Sequence, residues 1–166
     1  MLTRLTVLVV AAACLAQASP ALAQSAPPKL KAGLWEQTTV VPGLPAPYNQ
    51  TRSTFCVNDA VQQRWSALGQ SGAAAAGCSP SQVRPIAGGW SFSQTCTPQG
   101  GRVVTSGTAR GDFNIAYTVE AKSTGVAGAP AGFTARNRYL GACGALKPGQ
   151  MSVMGMTVDM TTGRPG

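Results

Sequence analysis

Between Gly89 and Tyr139 apolar and polar side chains alternate with a period of two. Trp90, Phe92, Gln94 and Cys96 interleave with Ser91, Ser93 and Thr95. Phe113, Ile115, Tyr117, Val119 and Ala121 interleave with Asn114, Ala116, Thr118 and Glu120, and Phe133, Ala135, Asn137 and Tyr139 with Thr134, Arg136 and Arg138. A strand sends successive side chains to opposite faces, so this pattern predicts strands with one buried face. Residues 102–109, with Val and Thr, add a fourth. Glycine-rich links at 99–101, at Gly111-Asp112 and at 125–132 supply the turns. Four strands joined by short links predict an antiparallel meander.

Upstream, residues 33–41 (GLWEQTTVV) are rich in β-branched and aromatic side chains and read as a strand. The Pro- and Gly-containing stretch 42–47 interrupts it, and residues 48–56 resume as a hairpin partner. Asn58 is placed to cap a helix over 59–68, in which Val61, Trp65 and Leu68 form one apolar stripe. An Ala/Gly-rich loop follows over 70–77. The expected fold is mainly β: an antiparallel meander forming a curved sheet or partly open barrel, with one short helix and two disulfides. Trp90, Phe92, Phe113, Ile115, Tyr117, Phe133 and Tyr139 would share its concave face. They form a core, or a pocket lining if the barrel is open.

The two ends read differently. A single cation at Arg4, an apolar run over 5–16 and Ala21-Leu22-Ala23 are the parts of a signal peptide, with cleavage expected after Ala23. The run is too short to span a bilayer as a helix. Residues 24–31 read as an extended arm. The expected organisation is a leader over 1–23, one β-rich domain over 24–143, and a Gly/Met-rich tail over 144–166. That tail is either a loose extension or an alternating edge strand.

Composition then narrows the chemistry. The chain of 166 residues has 13 Lys+Arg, 5 Asp+Glu and no histidine. Without histidine there is no Ser-His-Asp triad, no Cys-His dyad and no His-ligated zinc. Phosphate-cradling loops, dinucleotide fingerprints and nucleophile elbows are absent, and the acids are scattered over different elements, so no enzyme is expected. The net charge is +8. Arg136 and Arg138 share the polar face of one strand and are candidate anion contacts. Without exposed aromatics between the cations, no nucleic acid partner is expected.

Five cysteines become four once Cys14 leaves with the leader. Cys56, Cys78, Cys96 and Cys143 contain no Cys-x-x-Cys and are spaced too widely for a metal site, so an exported chain would use them as two disulfides. Three connectivities are open. The local helix between the first two favours Cys56–Cys78 with Cys96–Cys143. No cofactor is expected, and no metal site beyond Cu(I) held by methionines of the tail (Met151, Met154, Met156, Met160).

Four pieces occur in order: Lys31-Ala32-Gly33-Leu34-Trp35-Glu36, Cys56-Val57-Asn58-Asp59-Ala60, Cys78 and Cys96 flanking a short strand pair, and Arg138-Tyr139-Leu140-Gly141-Ala142-Cys143. The chain thereby resembles the bacterial exported family catalogued as domain of unknown function 3617. The resemblance covers about residues 31–143. It implies an envelope location, here the periplasm, and a β-rich domain, and it supplies no activity. The expected role is a small exported non-enzymatic envelope protein that binds a ligand or an envelope partner. The alternative is a structural or stress-related protein whose basic surface meets anionic lipid or lipopolysaccharide.

Overall fold

The computed structural model describes residues 27–66, 68, 77–97, 101–125 and 132–165. The expected leader with Cys14, most of the loop at 70–77 and most of the link at 125–132 lie outside the described residues. Nine strands form one antiparallel sheet: β1 (Gly33–Val40), β2 (Gln50–Val57), β3 (Gln82–Ile86), β4 (Gly89–Cys96), β5 (Val103–Asp112), β6 (Ala116–Thr124), β7 (Gly132–Gly141), β8 (Gln150–Val153) and β9 (Met156–Asp159). Their spatial order is β3-β4-β5-β6-β7-β1-β2-β8-β9, so the sheet is open, with edges at β3 and β9. The meander runs from β3 to β7. The first strand then inserts between β7 and β2.

The register sorts side chains into two unlike faces. Trp35 stands opposite Phe55 on β2 and Tyr139 on β7, and the same face carries Tyr117, Val119, Ala109, Phe92 and Val83. Trp35 and Phe55 are fully buried, and Trp90, Phe113, Phe133 and Tyr139 pack against this core. All charged side chains of the strands fall on the other face: Arg52, Arg84, Arg110, Lys122, Arg136 and Arg138 with Glu36, Asp112, Glu120 and Asp159. Burying an unpaired charge is costly, whereas burying apolar area is favourable, so the alternation fixes which face turns inward.

Helix α1 (Asp59–Gln62) is one turn long, shorter than the expected 59–68. Asn58 caps it as anticipated, accepting from the Val61 amide at 2.9 Å. So short a helix cannot sustain itself, and its position is set by packing. Beyond it the chain turns Trp65 onto Phe55, with ring centroids 5.3 Å apart. Val61, Trp65 and Leu68 are all buried, so the apolar stripe survives without the helix. The arm before β1 is docked along this element. Leu30 is buried, its amide donating to Gln62 Oε1 at 2.5 Å and its carbonyl accepting from Gln62 Nε2 at 3.0 Å.

Three further differences from expectation have local causes. First, β5 continues through Arg110-Gly111-Asp112, and the turn falls on residues 113–115, where the Asp112 carboxylate accepts from the Asn114 amide at 2.8 Å. Ile115 is therefore 65% exposed rather than part of the core. Second, β3, which the alternation did not mark, completes the strand pair flanked by Cys78 and Cys96 and lies at the edge, where Pro85 is tolerated. Third, the segment after Cys143, expected as a loose extension or one edge strand, extends the sheet by two strands as the hairpin β8–β9. Its two-residue turn places Met154 at φ 51° and Gly155 at φ 80°, the left-handed pair that matches strand twist.

The favoured cysteine pairing is overturned. Cys56 bonds Cys143 and Cys78 bonds Cys96, with Cα separations of 5.4 and 3.9 Å. Cys56 is the penultimate residue of β2 and Cys143 follows β7, the two strands that flank β1, whereas Cys78 and Cys96 face each other across a β-bridge. Adjacency in the sheet decides both pairs, and Cys78–Cys96 alone also joins cysteines consecutive in the sequence. The enclosed loops span separations of 87 and 18 residues. Non-reducing peptide mapping will recover these two pairs. Replacing Cys56 and Cys143 together by alanine will lower unfolding free energy by roughly 4–5 kcal/mol, against roughly 3 kcal/mol for the other pair.

A candidate binding site on the polar face

On the charged face of β3–β7 a groove of about 920 Å³ is built from two transverse rows of side chains. One row, taken strand by strand, is Arg84, Ser91, Thr108, Glu120 and Thr134. The next is Gln82, Ser93, Ser106, Lys122 and Gly132. Between them run Phe92, Gly107, Ala121 and Phe133, whose positions belong to the core face, so the groove meets their backbone as its floor. Gly107 is required here: a Cβ on it would lie 2.7 Å from the Phe92 ring. Pro42, from the loop after β1, closes one side. Five strands at the usual inter-strand spacing give the rows a length of roughly 19 Å.

A third row lies one step along the strands. Arg110, Thr118, Arg136, Thr38 and Arg52 stand side by side, with arginines on alternate strands about 10 Å apart. Arg110 Nη1 donates to the Ala87 carbonyl at 2.6 Å. Arg52 is engaged by Glu36, from its Nε at 2.8 Å and from its Nη2, and Arg138 Nη2 reaches the other Glu36 oxygen at 3.0 Å. Among the described residues, Arg84, Lys122 and Arg136 form no ion pair. Hydrogen bonding from Arg52 holds the Glu36 carboxyl below its ordinary value, with Arg138 adding to it and outweighing the opposing effect of desolvation.

Tyr117, Phe113 and Tyr139, three of the sequence-predicted pocket residues, cluster instead around Trp35 and the docked arm. Trp35 meets Tyr117 and Tyr139 edge-on at 5.5 Å, and Phe113 stacks on Tyr117 at 5.1 Å. Burial pushes the Tyr117 phenol pKa upward. Trp90 packs on the same core face, and of the seven residues expected on the concave face only Phe92 and Phe133 border the groove. Arg136 and Arg138 share the polar face, as alternation predicts, but Arg138 is tied to Glu36. The tail methionines are divided. Met151 and Met160 pack on the core, while Met154 and Met156 are exposed at the β8–β9 turn.

The motif residues meet along one ladder. Gly33 has φ 139°, and a Cβ there would sit against the Gly141 carbonyl and 2.7 Å from the Tyr139 ring. The Trp35 indole donates to the Lys31 carbonyl at 2.9 Å, and the Lys31 ammonium lies 4.5 Å from the Tyr139 ring centroid. Glu36 takes Arg138, and Cys143 takes Cys56. A family model described as "Protein of unknown function (DUF3617)" matches residues 30–143. The chain belongs to the DUF3617 family. No curated protein and no solved structure matches it. In this DUF3617 domain the motifs from Lys31 to Glu36 and from Arg138 to Cys143 hold the centre of the sheet together. None of their residues lines the groove.

A folded-state carboxyl held below its ordinary value stabilises the fold at neutral pH. That contribution is fully present above about pH 4.5 and is lost as pH falls through the lower folded value. Both arginines are mostly exposed, so the gain is about 1 kcal/mol or less. Glu36→Gln will therefore be slightly less stable at neutral pH, and its stability will fall less between about pH 5 and pH 3 than that of the wild type. Denaturant titrations at several pH values measure the difference.

Proposed function

We propose that this DUF3617 protein is an exported, non-enzymatic binding domain that works in the periplasm and takes its ligand in the groove across β3–β7. The observation that carries this reading is the groove itself. It is an open groove at the upper end of ordinary ligand-site volumes, lined by hydroxyls and by cations that form no ion pair among the described residues. Glu36 is enclosed by two arginines, and Glu120 stands two strands away and two rows along, so these carboxylates do not form a facing acid–base pair. Export rests on the leader pattern at residues 1–23. Two disulfides are in keeping with an oxidising compartment.

Thr108 stands at the middle of the groove. A tryptophan there would fill the groove while leaving the strand pairing and the opposite face untouched. The protein recovered from the periplasm will begin at Gln24. Its thermal transition will rise by several degrees with the dialysable small-molecule fraction of that compartment, and the Thr108→Trp variant will keep the unliganded transition without the rise. A protein retaining residues 1–23 in the cytoplasm would contradict export. An equal rise in both forms, or none in either, would contradict the groove.

A further inference from the structure

Resting on that reading of the groove, we infer that its ligand is an acidic oligosaccharide, a chain of sugar units carrying carboxylates. Four observations converge on this class. The rows present five hydroxyls (Ser91, Ser93, Ser106, Thr108 and Thr134), and each hydroxyl both donates and accepts, as sugar hydroxyls do. Gln82 and Glu120 add an amide and a carboxylate that pair equally well with hydroxyl groups.

Arg84 and Lys122 stand in the groove without carboxylate partners among the described residues. They lie on β3 and β6, so a ligand meeting both crosses most of the groove and carries more than one negative charge. Arg136, also without an ion pair among the described residues, belongs to the arginine row beside the groove, where the cations repeat about every 10 Å. A guanidinium fork matches a carboxylate with two parallel hydrogen bonds. The volume exceeds what a single sugar ring fills, and the groove runs across strands rather than into the core, which suits a chain.

A lipid surface fits this face less well. The large exposed apolar residues, Leu44, Tyr48, Ile115, Leu140, Met154 and Met156, are not among the groove residues. The charged and hydroxyl groups are therefore the available recognition chemistry.

The test uses the mature chain with fluorescent hexagalacturonate as the acidic probe, maltohexaose as the neutral one, and vesicles of phosphatidylcholine with phosphatidylglycerol. The expected result is saturable binding of hexagalacturonate, at least tenfold tighter than maltohexaose. It should weaken roughly tenfold between about 20 and about 200 mM salt as the Debye length shortens. Thr108→Trp should abolish it, and Lys122→Gln and Arg136→Gln should each weaken it about fivefold, the scale of one exposed charge pair. Unchanged thermal transitions of the three variants would show that they remain folded.

Equal, salt-insensitive binding of both sugars would overturn the acidic class and leave the groove reading standing. Hexagalacturonate binding that Thr108→Trp leaves intact would overturn both. Vesicle binding without sugar binding would replace the inference with a lipid surface. Failure of all three probes would overturn it, with the groove then judged on the dialysable fraction alone.

Discussion

Strand β1 is hydrogen-bonded on both sides, to β2 along all eight of its residues and to β7 along nearly as many, and the rest of the sheet hangs from that double pairing. Without it the β3–β7 meander would be separated from β2 and the β8–β9 hairpin. The side chains of β1 explain why the insertion is stable. Trp35 fills the core between Phe55 and Tyr139, Gly33 permits the close approach of β7, and Glu36 binds an arginine on each neighbouring strand. The Cys56–Cys143 bond then joins those two neighbours covalently across the strand between them. At Leu140 the β1–β7 register shifts, and this extra residue is 43% exposed.

The same pairing decides where chemistry can occur. A slip of one residue in a strand moves every side chain to the opposite face. With the observed register the aromatic residues are inward, and the cations, carboxylates and groove hydroxyls share one surface. Buried polarity on the core side is confined and satisfied. Asn137 accepts from Gln37 at 3.1 Å and donates to the Ala135 carbonyl at 3.3 Å, between residues that otherwise make an apolar layer. Such a pair adds a directional preference for the β1–β7 register to the non-directional effect of burial.

How much of this was legible in the sequence follows from range. The alternation in β4, β6 and β7 is local, so the strands and their inward residues could be read directly, as could the cap at Asn58. The shared face of Arg136 and Arg138 follows from the same period of two. What alternation does not contain is which strand lies beside which. The order β7-β1-β2, the cysteine pairs, the Glu36 triad and the groove all depend on it. Each groove row takes one residue from each of five strands, so no short segment carries its signature. The short helix was over-extended because Trp65 and Leu68 repeat at helical spacing, yet reach the core from a turn. In β3 the alternation is interrupted by Pro85, and β8–β9 is four residues per strand, which left both weak as local patterns.

Residue-resolved amide hydrogen exchange on the mature, disulfide-bonded chain tests the central role of β1 most directly, because protection reports the opening free energy of each ladder. The structure predicts that the amides of β1 and those of β7 facing it exchange slowest, through global unfolding, while β3 and β9 open first as edges. Slowest exchange in β3–β5, with β1 opening as readily as an edge strand, would contradict the account.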